Sequence, residues 1–274
     1  MAPTGLTLMA VHAHPDDEAT GTGGTLARYA DEGIATVLVT CTDGSAGDGP
    51  GGVKPGQPGH DPQAVSELRR KELGVSCRTL GVEHLELLGY RDSGVMGWST
   101  NDAPGSFWTT PVEEAAERLV VLLERYRPQV VVTYDANGFY GHPDHIQAHR
   151  VTMAAVAASG IGEKVYFPTV PRSRLREFAA RLRDAGVNPP FEGGDPPPGF
   201  GAEDHEIAAW IDVSAVVSRK WDALAAHASQ RDTIFMLDMG KELFMETMAV
   251  EPYLRAADRT GSPTPEYDLF AGLR

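Results

Sequence analysis

Residues 6–12 (LTLMAVH), 36–41 (TVLVTC) and 130–134 (VVVTY) form three short runs whose apolar residues follow one another instead of alternating with polar ones. A strand with one face in water alternates, so a run that is apolar on successive positions must be covered on both sides. Segments with helical spacing separate these runs: a Gly-rich one at 21–33, then 63–80, 111–126 with Pro at its first turn, and 142–159. Strands that alternate with helices and are buried on both faces predict an α/β fold, a mostly parallel sheet flanked by helices. Further strands are expected at 85–88, 165–167 and 207–213, and further helices at 172–185 and 214–229. The last forty-odd residues read as short elements and loops, a smaller irregular C-terminal part, and no internal repeat is present. Residues 1–170 read as the core and 171–274 as a part that completes the same domain and its pocket.

In open parallel sheets the ligand sits beyond the carboxyl ends of the strands. Three loops leave strand ends here, at 12–22, 42–62 and 135–142, and two of them carry or lead into dense polar clusters. One is His12-Ala13-His14-Pro15-Asp16-Asp17-Glu18; the other is His142-Pro143-Asp144-His145, extended by His149. Five of the nine histidines lie in these stretches. A catalytic zinc takes three protein ligands, commonly imidazole or carboxylate, and keeps a position for water, whose pKa it lowers to about 7. His14 and Asp17 lie one helical turn apart and can ligate together, and His145 can complete the set from the other loop. Asp16, between the ligands but pointing elsewhere, is free to act as base, and His142 to face the substrate. Either cluster alone could be a helix start, with Asp capping and Pro in the first turn. Both together at neighbouring strand ends point to a site. His145 and His149 also form an H-x-x-x-H pair, but the Glu of a zincin motif is missing, which leaves His149 to the second shell or the core.

The segments VHAHPDDEATGTGGTLARY and VVTYDANGFYGHPDHIQAH resemble the PIG-L/LmbE family of zinc-dependent N-acetylsugar deacetylases, most of all its actinobacterial branch that makes and uses mycothiol. LRRKELGVSCRTLGV, GYRDSG at 89–94 and DALAAHASQ at 222–230 extend the resemblance over most of 6–160 and a shorter C-terminal patch; 168–205 and the last forty residues match little. The resemblance implies a Rossmann-like α/β domain. It implies His14, Asp17 and His145 as zinc ligands, Asp16 as general base, and His142 as a cationic electrophile or general acid tuned by Asp144. Tyr140 would help hold the oxyanion, and Arg69 and Asp92 would hold sugar hydroxyls. The expected reaction removes the acetyl group from an N-acetylglucosamine-like sugar, with one Zn2+ per chain or another divalent ion in its place. A near alternative is an amidase for a bulkier mycothiol S-conjugate. A third is a metal-binding scaffold without hydrolysis, for which an intact Asp16 and His142 have no use. A metal phosphoesterase would want a second metal site, and the sequence shows no further carboxylate cluster for one.

The formal net charge of −14 disfavours nucleic acid as a partner. No apolar run is long enough to span a membrane. The first eight residues lack a basic start and a long apolar stretch, so a cytoplasmic protein is expected, with Cys41 and Cys77 as reduced thiols. The partner expected is a small acylated amino sugar, and homo-oligomerisation stays open. Gly21-Thr22-Gly23-Gly24 is not a dinucleotide fingerprint, because the HPDDE segment occupies the turn; Gly23 and Gly24 instead permit close helix packing. Arg69-Arg70-Lys71 reads as a solvated helix face, apart from the role the resemblance gives Arg69. Trp98, Phe107 and Trp108 either stack on sugar or close their loop onto the core. Met236, Met239, Met245 and Met248 read as a flexible core or interface patch. His227 is unplaced, and His60, His84 and His205 read as ordinary.

Overall fold

The computed structural model describes residues 5–184, 191, 194–230 and 235–274. The apolar runs become the centre of one seven-stranded sheet. In chain order the elements are β1 (Thr7–His12), α1 (Asp17–Gly21), α2 (Gly23–Asp31), β2 (Ala35–Thr42), α3 (Pro62–Leu80), β3 (His84–Tyr90), α4 (Val112–Tyr126) and β4 (Val130–Val132). They continue with α5 (Gly138–Gly141), α6 (Pro143–Ser159), β5 (Lys164–Pro168), α7 (Arg172–Asp184), β6 (Ala209–Asp212), α8 (Val217–Ala226), α9 (Phe235–Asp238), α10 (Lys241–Thr247) and β7 (Val250–Asp258). The strand order is β3-β2-β1-β4-β5-β7-β6. The first five run parallel, while β7 is antiparallel to both β5 and β6.

Successive residues of a strand point to opposite faces, and in β1 both faces are buried. Leu8 and Ala10 join a core with Leu26 of α2, Leu73 of α3 and Leu224 of α8. Met9 and Val11 join a second core with Leu119 of α4 and Val151 of α6. This two-sided cover explains why the run does not alternate. Gly24 shows how tight the cover is, because a Cβ there would sit 2.5 Å from Val213 Cγ2. The four methionines pack into or against the first of these cores.

Two expectations change. The helix expected at 21–33 forms as α2, but the stretch expected as a loop at 12–22 carries a further short helix, α1, separated from α2 by Thr22. The last forty residues are not only short elements and loops, because β7 is nine residues long and sits inside the sheet, which is therefore mixed. The Pro/Gly-rich insertion that the sequence shows at 188–201 lies partly outside the described residues. Cys41 and Cys77 are buried, unpaired thiols whose pKa burial raises. No helix among the described residues is long and apolar enough to cross a membrane.

The chain runs outward from β1 through β2 to β3, then returns to place β4 on the other side of β1. Between β1 and β4 the connections therefore leave in opposite directions, and a crevice opens at the carboxyl ends. Both His/Asp clusters flank it.

Candidate active site

Each cluster is aimed by the start of a helix. Pro143 opens α6, and the N–H of Asp144 donates to His142 Nδ1 at 3.2 Å. His145 then lies in the first turn, its ring stacked on Tyr134 at 4.2 Å. On the other side the Asp17 carboxylate accepts the N–H of His14 at 2.7 Å, which folds the HPDD turn onto itself.

This brings three donors together. His14 Nδ1 is 3.2 Å from Asp17 Oδ2, His145 Nε2 is 3.4 Å from Asp17 Oδ1, and His145 Nε2 is 3.3 Å from His14 Nδ1. A tetrahedral site with metal–ligand bonds of about 2.0–2.1 Å has edges of about 3.3 Å. The residues present therefore fit a divalent cation in both donor type and spacing. The nitrogens of His14, His142 and His145 also lie within 4.8 Å of one another. His142 is the weaker candidate of that set, because its Nδ1 already accepts the Asp144 N–H.

The far nitrogen of His14 meets a second acidic group. Its Nε2 is 3.3 Å from Asp144 Oδ2 and 3.6 Å from Asp92 Oδ1. The fold thus assembles the additional carboxylate cluster that is not visible in the sequence. A neutral imidazole has one lone pair and one N–H, so His14 cannot ligate through both nitrogens; Asp92 and Asp144 fix its tautomer. Burial opposes a charge on His14, but Asp92, Asp144 and Asp17 outweigh it and hold its pKa well above the ordinary value. An arriving cation must displace that proton.

Asp16 lies next to this set but is held by a different partner. Arg69 Nη2 donates to Asp16 Oδ2 at 3.0 Å and to Pro15 O at 2.6 Å, and Nη1 donates to Gly44 O at 2.8 Å. Burial raises the Asp16 carboxyl to about 6 even though Arg69 pulls it down. The resemblance puts Arg69 and Asp92 on sugar hydroxyls. Both line the cleft, but most of the Arg69 donors are spent on protein oxygens, and Asp92 accepts from Gly94 N and Ala46 N. Arg69 is 4% exposed, not the solvated helix face that its basic run suggests.

Two features of the second motif bear on the roles expected for it. The Asp144 carboxylate does not touch His142; it faces His14 Nε2 and the Ser93 N–H, and only its backbone N–H meets His142. Burial and the neighbouring His14 and His145 pull the His142 pKa down to about 2, which favours its neutral form. With Nδ1 acting as acceptor, the ring proton sits on Nε2. Tyr140 is 57% exposed, with its ring 5.1 Å from His145 and 6.0 Å from His142.

The cleft holds about 500 Å³, an ordinary volume for a small-molecule site. Trp98 and Val95 wall one side, and Ala46, Gly47, Asp48 and Lys54 come from the 42–62 loop. Gln230, from the C-terminal part, also lines it. Phe107 is buried under Tyr90, and Trp108 lies beneath Arg150. His149 turns away to the Tyr134 carbonyl at 2.8 Å. Tyr134 is the contributor that sequence reasoning passes over. An aromatic at the carboxyl end of a buried strand was its only signal, yet its hydroxyl accepts the Ala13 N–H and its ring backs His145.

An α/β sheet with a His/Asp donor group at its switch point, and an extra carboxylate alongside, defines the class: α/β proteins built to hold a divalent cation over a small-molecule cleft. The match to known proteins narrows this. Residues 9–156, more than half of the chain, match the family described as "PIG-L: GlcNAc-PI de-N-acetylase", and the chain belongs to that family. It is 43% identical, over 97% of its length and 91% of the relative's, to the 1D-myo-inositol 2-acetamido-2-deoxy-alpha-D-glucopyranoside deacetylase of Salinispora arenicola. In fold it is similar to the N,N'-diacetylchitobiose deacetylase of Pyrococcus horikoshii, with a TM-score of 0.59 at 22% identity, covering 94% of this chain and 86% of that one. It is equally similar to the 4-carboxy-2-hydroxymuconate hydratase GalB of Pseudomonas putida, with a TM-score of 0.59 at 18% identity, covering 94% and 99%. One fold therefore carries both names, so function has to be argued from the site.

Proposed function

We propose that the chain is an amide hydrolase that removes the acetyl group from the amino sugar of an N-acetylglucosaminyl-inositol type of glycoside. His14, Asp17 and His145 would hold one Zn2+ per chain. The observation that carries the reading is the donor triad with tetrahedral edge lengths, beside the Asp16 carboxylate that Arg69 holds. When bound, the cation supplies a water of lowered pKa and a Lewis acid for the amide carbonyl.

The remaining steps belong to the protein. Asp16, with its pKa near neutrality, takes a proton from the attacking water. The carbonyl carbon becomes tetrahedral, and its oxygen gains charge beside the Tyr140 hydroxyl and the His142 Nε2–H. A neutral His142 donates here as an oriented dipole, which a buried site rewards. The C–N bond then breaks, the nitrogen takes the proton from Asp16, and acetate and a free amine leave. Trp98 and Tyr140 give a sugar ring flat walls, and the acidic lining suits the emerging ammonium. The C-terminal part adds β6 and β7 to the sheet and Gln230 to the cleft, which supports one domain over two.

The test is amine release by zinc-loaded protein from a panel of acetylated amino sugars, including an N-acetylglucosaminyl inositol, with a bulky thiol-conjugate amide alongside. Amine from the acetylated sugars is expected. Release from the conjugate alone would replace the deacetylase with an amidase, and silence on every compound with metal bound would refute hydrolysis of this class.

A further inference from the structure

Asp16 has φ 119° and ψ −26°, a left-handed conformation that a residue with a side chain adopts only at a cost. Something must hold it there. Its backbone N–H donates to Glu18 Oε2 at 2.9 Å. The other oxygen of Glu18 accepts Ser76 Oγ of α3 at 2.5 Å and contacts His227 Nε2, just past α8, at 2.7 Å. An imidazole nitrogen against a carboxylate oxygen is the donor. Glu18, Ser76 and His227 are each no more than 1% exposed, so no water competes.

We propose that Glu18, Ser76 and His227 are positioning residues: a buried clamp that fixes the Asp16 amide in its left-handed conformation and thereby aims the Asp16 carboxylate at the water. The proposal rests on the reading of Asp16 as general base. It gives the AHASQ segment a role in the chemistry although that segment lies more than two hundred residues along the chain. Two clamps then act on Asp16 from opposite ends, with Arg69 on its carboxylate and Glu18 on its amide. A purely structural His227 explains less. Its Nδ1 is buried with no hydrogen-bond partner among the described residues, a cost that an apolar side chain of the same shape would avoid. The donor at Nε2 justifies keeping an imidazole there. Ser76 and His227 converge on one oxygen of Glu18, leaving the other for the Asp16 N–H, so the carboxylate cannot rotate without losing several bonds at once.

The test compares His227→Leu, which keeps bulk without the donor, with His227→Gln, which restores a donor. Ser76→Ala serves as a milder second lesion should His227→Leu not fold. Each zinc-loaded variant is assayed for kcat, KM on an N-acetylglucosaminyl glycoside and metal per chain, and hydrogen exchange of the Asp16 amide is followed independently of activity. The clamp predicts kcat down about 10²-fold in His227→Leu, with KM and metal content unchanged. It predicts a loss of about tenfold for Ser76→Ala, recovery to within about tenfold in His227→Gln, and Asp16 amide exchange faster by at least about tenfold in His227→Leu. Wild-type kcat and unchanged exchange in His227→Leu would overturn it. So would a loss that tracks lost metal, or one that His227→Gln does not repair. Asp16→Ala run in parallel separates the two ideas. Full turnover there overturns Asp16 as base, whereas a dead Asp16→Ala beside an unimpaired His227→Leu overturns only the clamp.

Discussion

Replacing Lys220 with Met should expose how the C-terminal part is bound to the sheet. Lys220 and Glu251 are 2% and 4% exposed and form an ion pair at 2.5 Å. Glu251 Oε1 also accepts the Gly24 N–H at 2.9 Å and Oε2 the Thr25 N–H at 2.8 Å, so this strand residue caps the start of α2. Lys220→Met removes the cation and leaves a buried, unpaired carboxylate, which costs about 3–5 kcal/mol. At roughly 2–4 °C per kcal/mol for a chain of this size, Tm should fall by about 6–20 °C at pH 8. The pH dependence gives the sharper test. Burial pushes Glu251 up, but Lys220 and the amide donors outweigh it, so in the native protein its pKa lies below the ordinary 4.5. Its contribution is therefore fully present above that value and is lost as pH falls through the native pKa. Without Lys220, burial loses its main counterweight and the carboxyl protonates at a higher pH. Acidification then relieves the variant while the wild type keeps its ion pair throughout this range, and the gap in Tm must narrow from pH 8 toward pH 5. Replacing both residues, as Lys220→Met with Glu251→Gln, should recover much of the loss. Calorimetry across this range suffices. A Lys220→Met protein within about 0.5 kcal/mol of wild type, or a deficit that does not change with pH, would refute the reasoning.

Asp17→Ala removes one corner of the donor triad and should lose its metal in dialysis against a mild chelator; full occupancy afterwards would contradict Asp17 as a ligand. Tyr140→Phe removes one donor to the developing oxyanion and should lower kcat by up to about 10²–10³-fold with KM little changed. Unaltered kcat would take Tyr140 out of the mechanism. Gly24→Ala drives a Cβ to 2.5 Å from Val213 and should destabilise the fold by about 1–3 kcal/mol, read as a lower urea midpoint, while an unshifted midpoint would contradict the close approach of α2 to this residue.

How much of this the sequence reveals depends on the kind of information a residue carries. β1, β2 and β4 were legible because burial on both faces leaves an unbroken apolar run. β7 was not, because Glu251, Pro252 and Arg255 interrupt it, and Glu251 is buried with Lys220 from α8 as its counter-charge. That partnership spans thirty-one residues and leaves no local pattern. The break at Thr22 was hidden for a similar reason: its hydroxyl meets His12 Nε2 at 2.8 Å across the turn. Within the site, spacing and resemblance named which residues gather, since His14, Asp16, Asp17 and His145 share two short motifs. They could not give side-chain direction. Asp144 is two residues from His142, yet its carboxylate crosses to His14. The basic run at 69–71 reads as surface, yet Arg69 turns inward to Asp16 because three acceptors converge on it. Glu18 and His227 meet only in the folded chain.

The most direct test of the central claim pairs metal content with turnover in Asp16→Ala. The variant, loaded with zinc beside the wild type, is analysed for metal per chain and for amine released from an N-acetylglucosaminyl inositol. A carboxylate that serves as base without ligating predicts wild-type metal content with turnover reduced about 10²–10⁴-fold. Undiminished turnover would contradict Asp16 as base, and loss of the metal would contradict its place outside the ligand set.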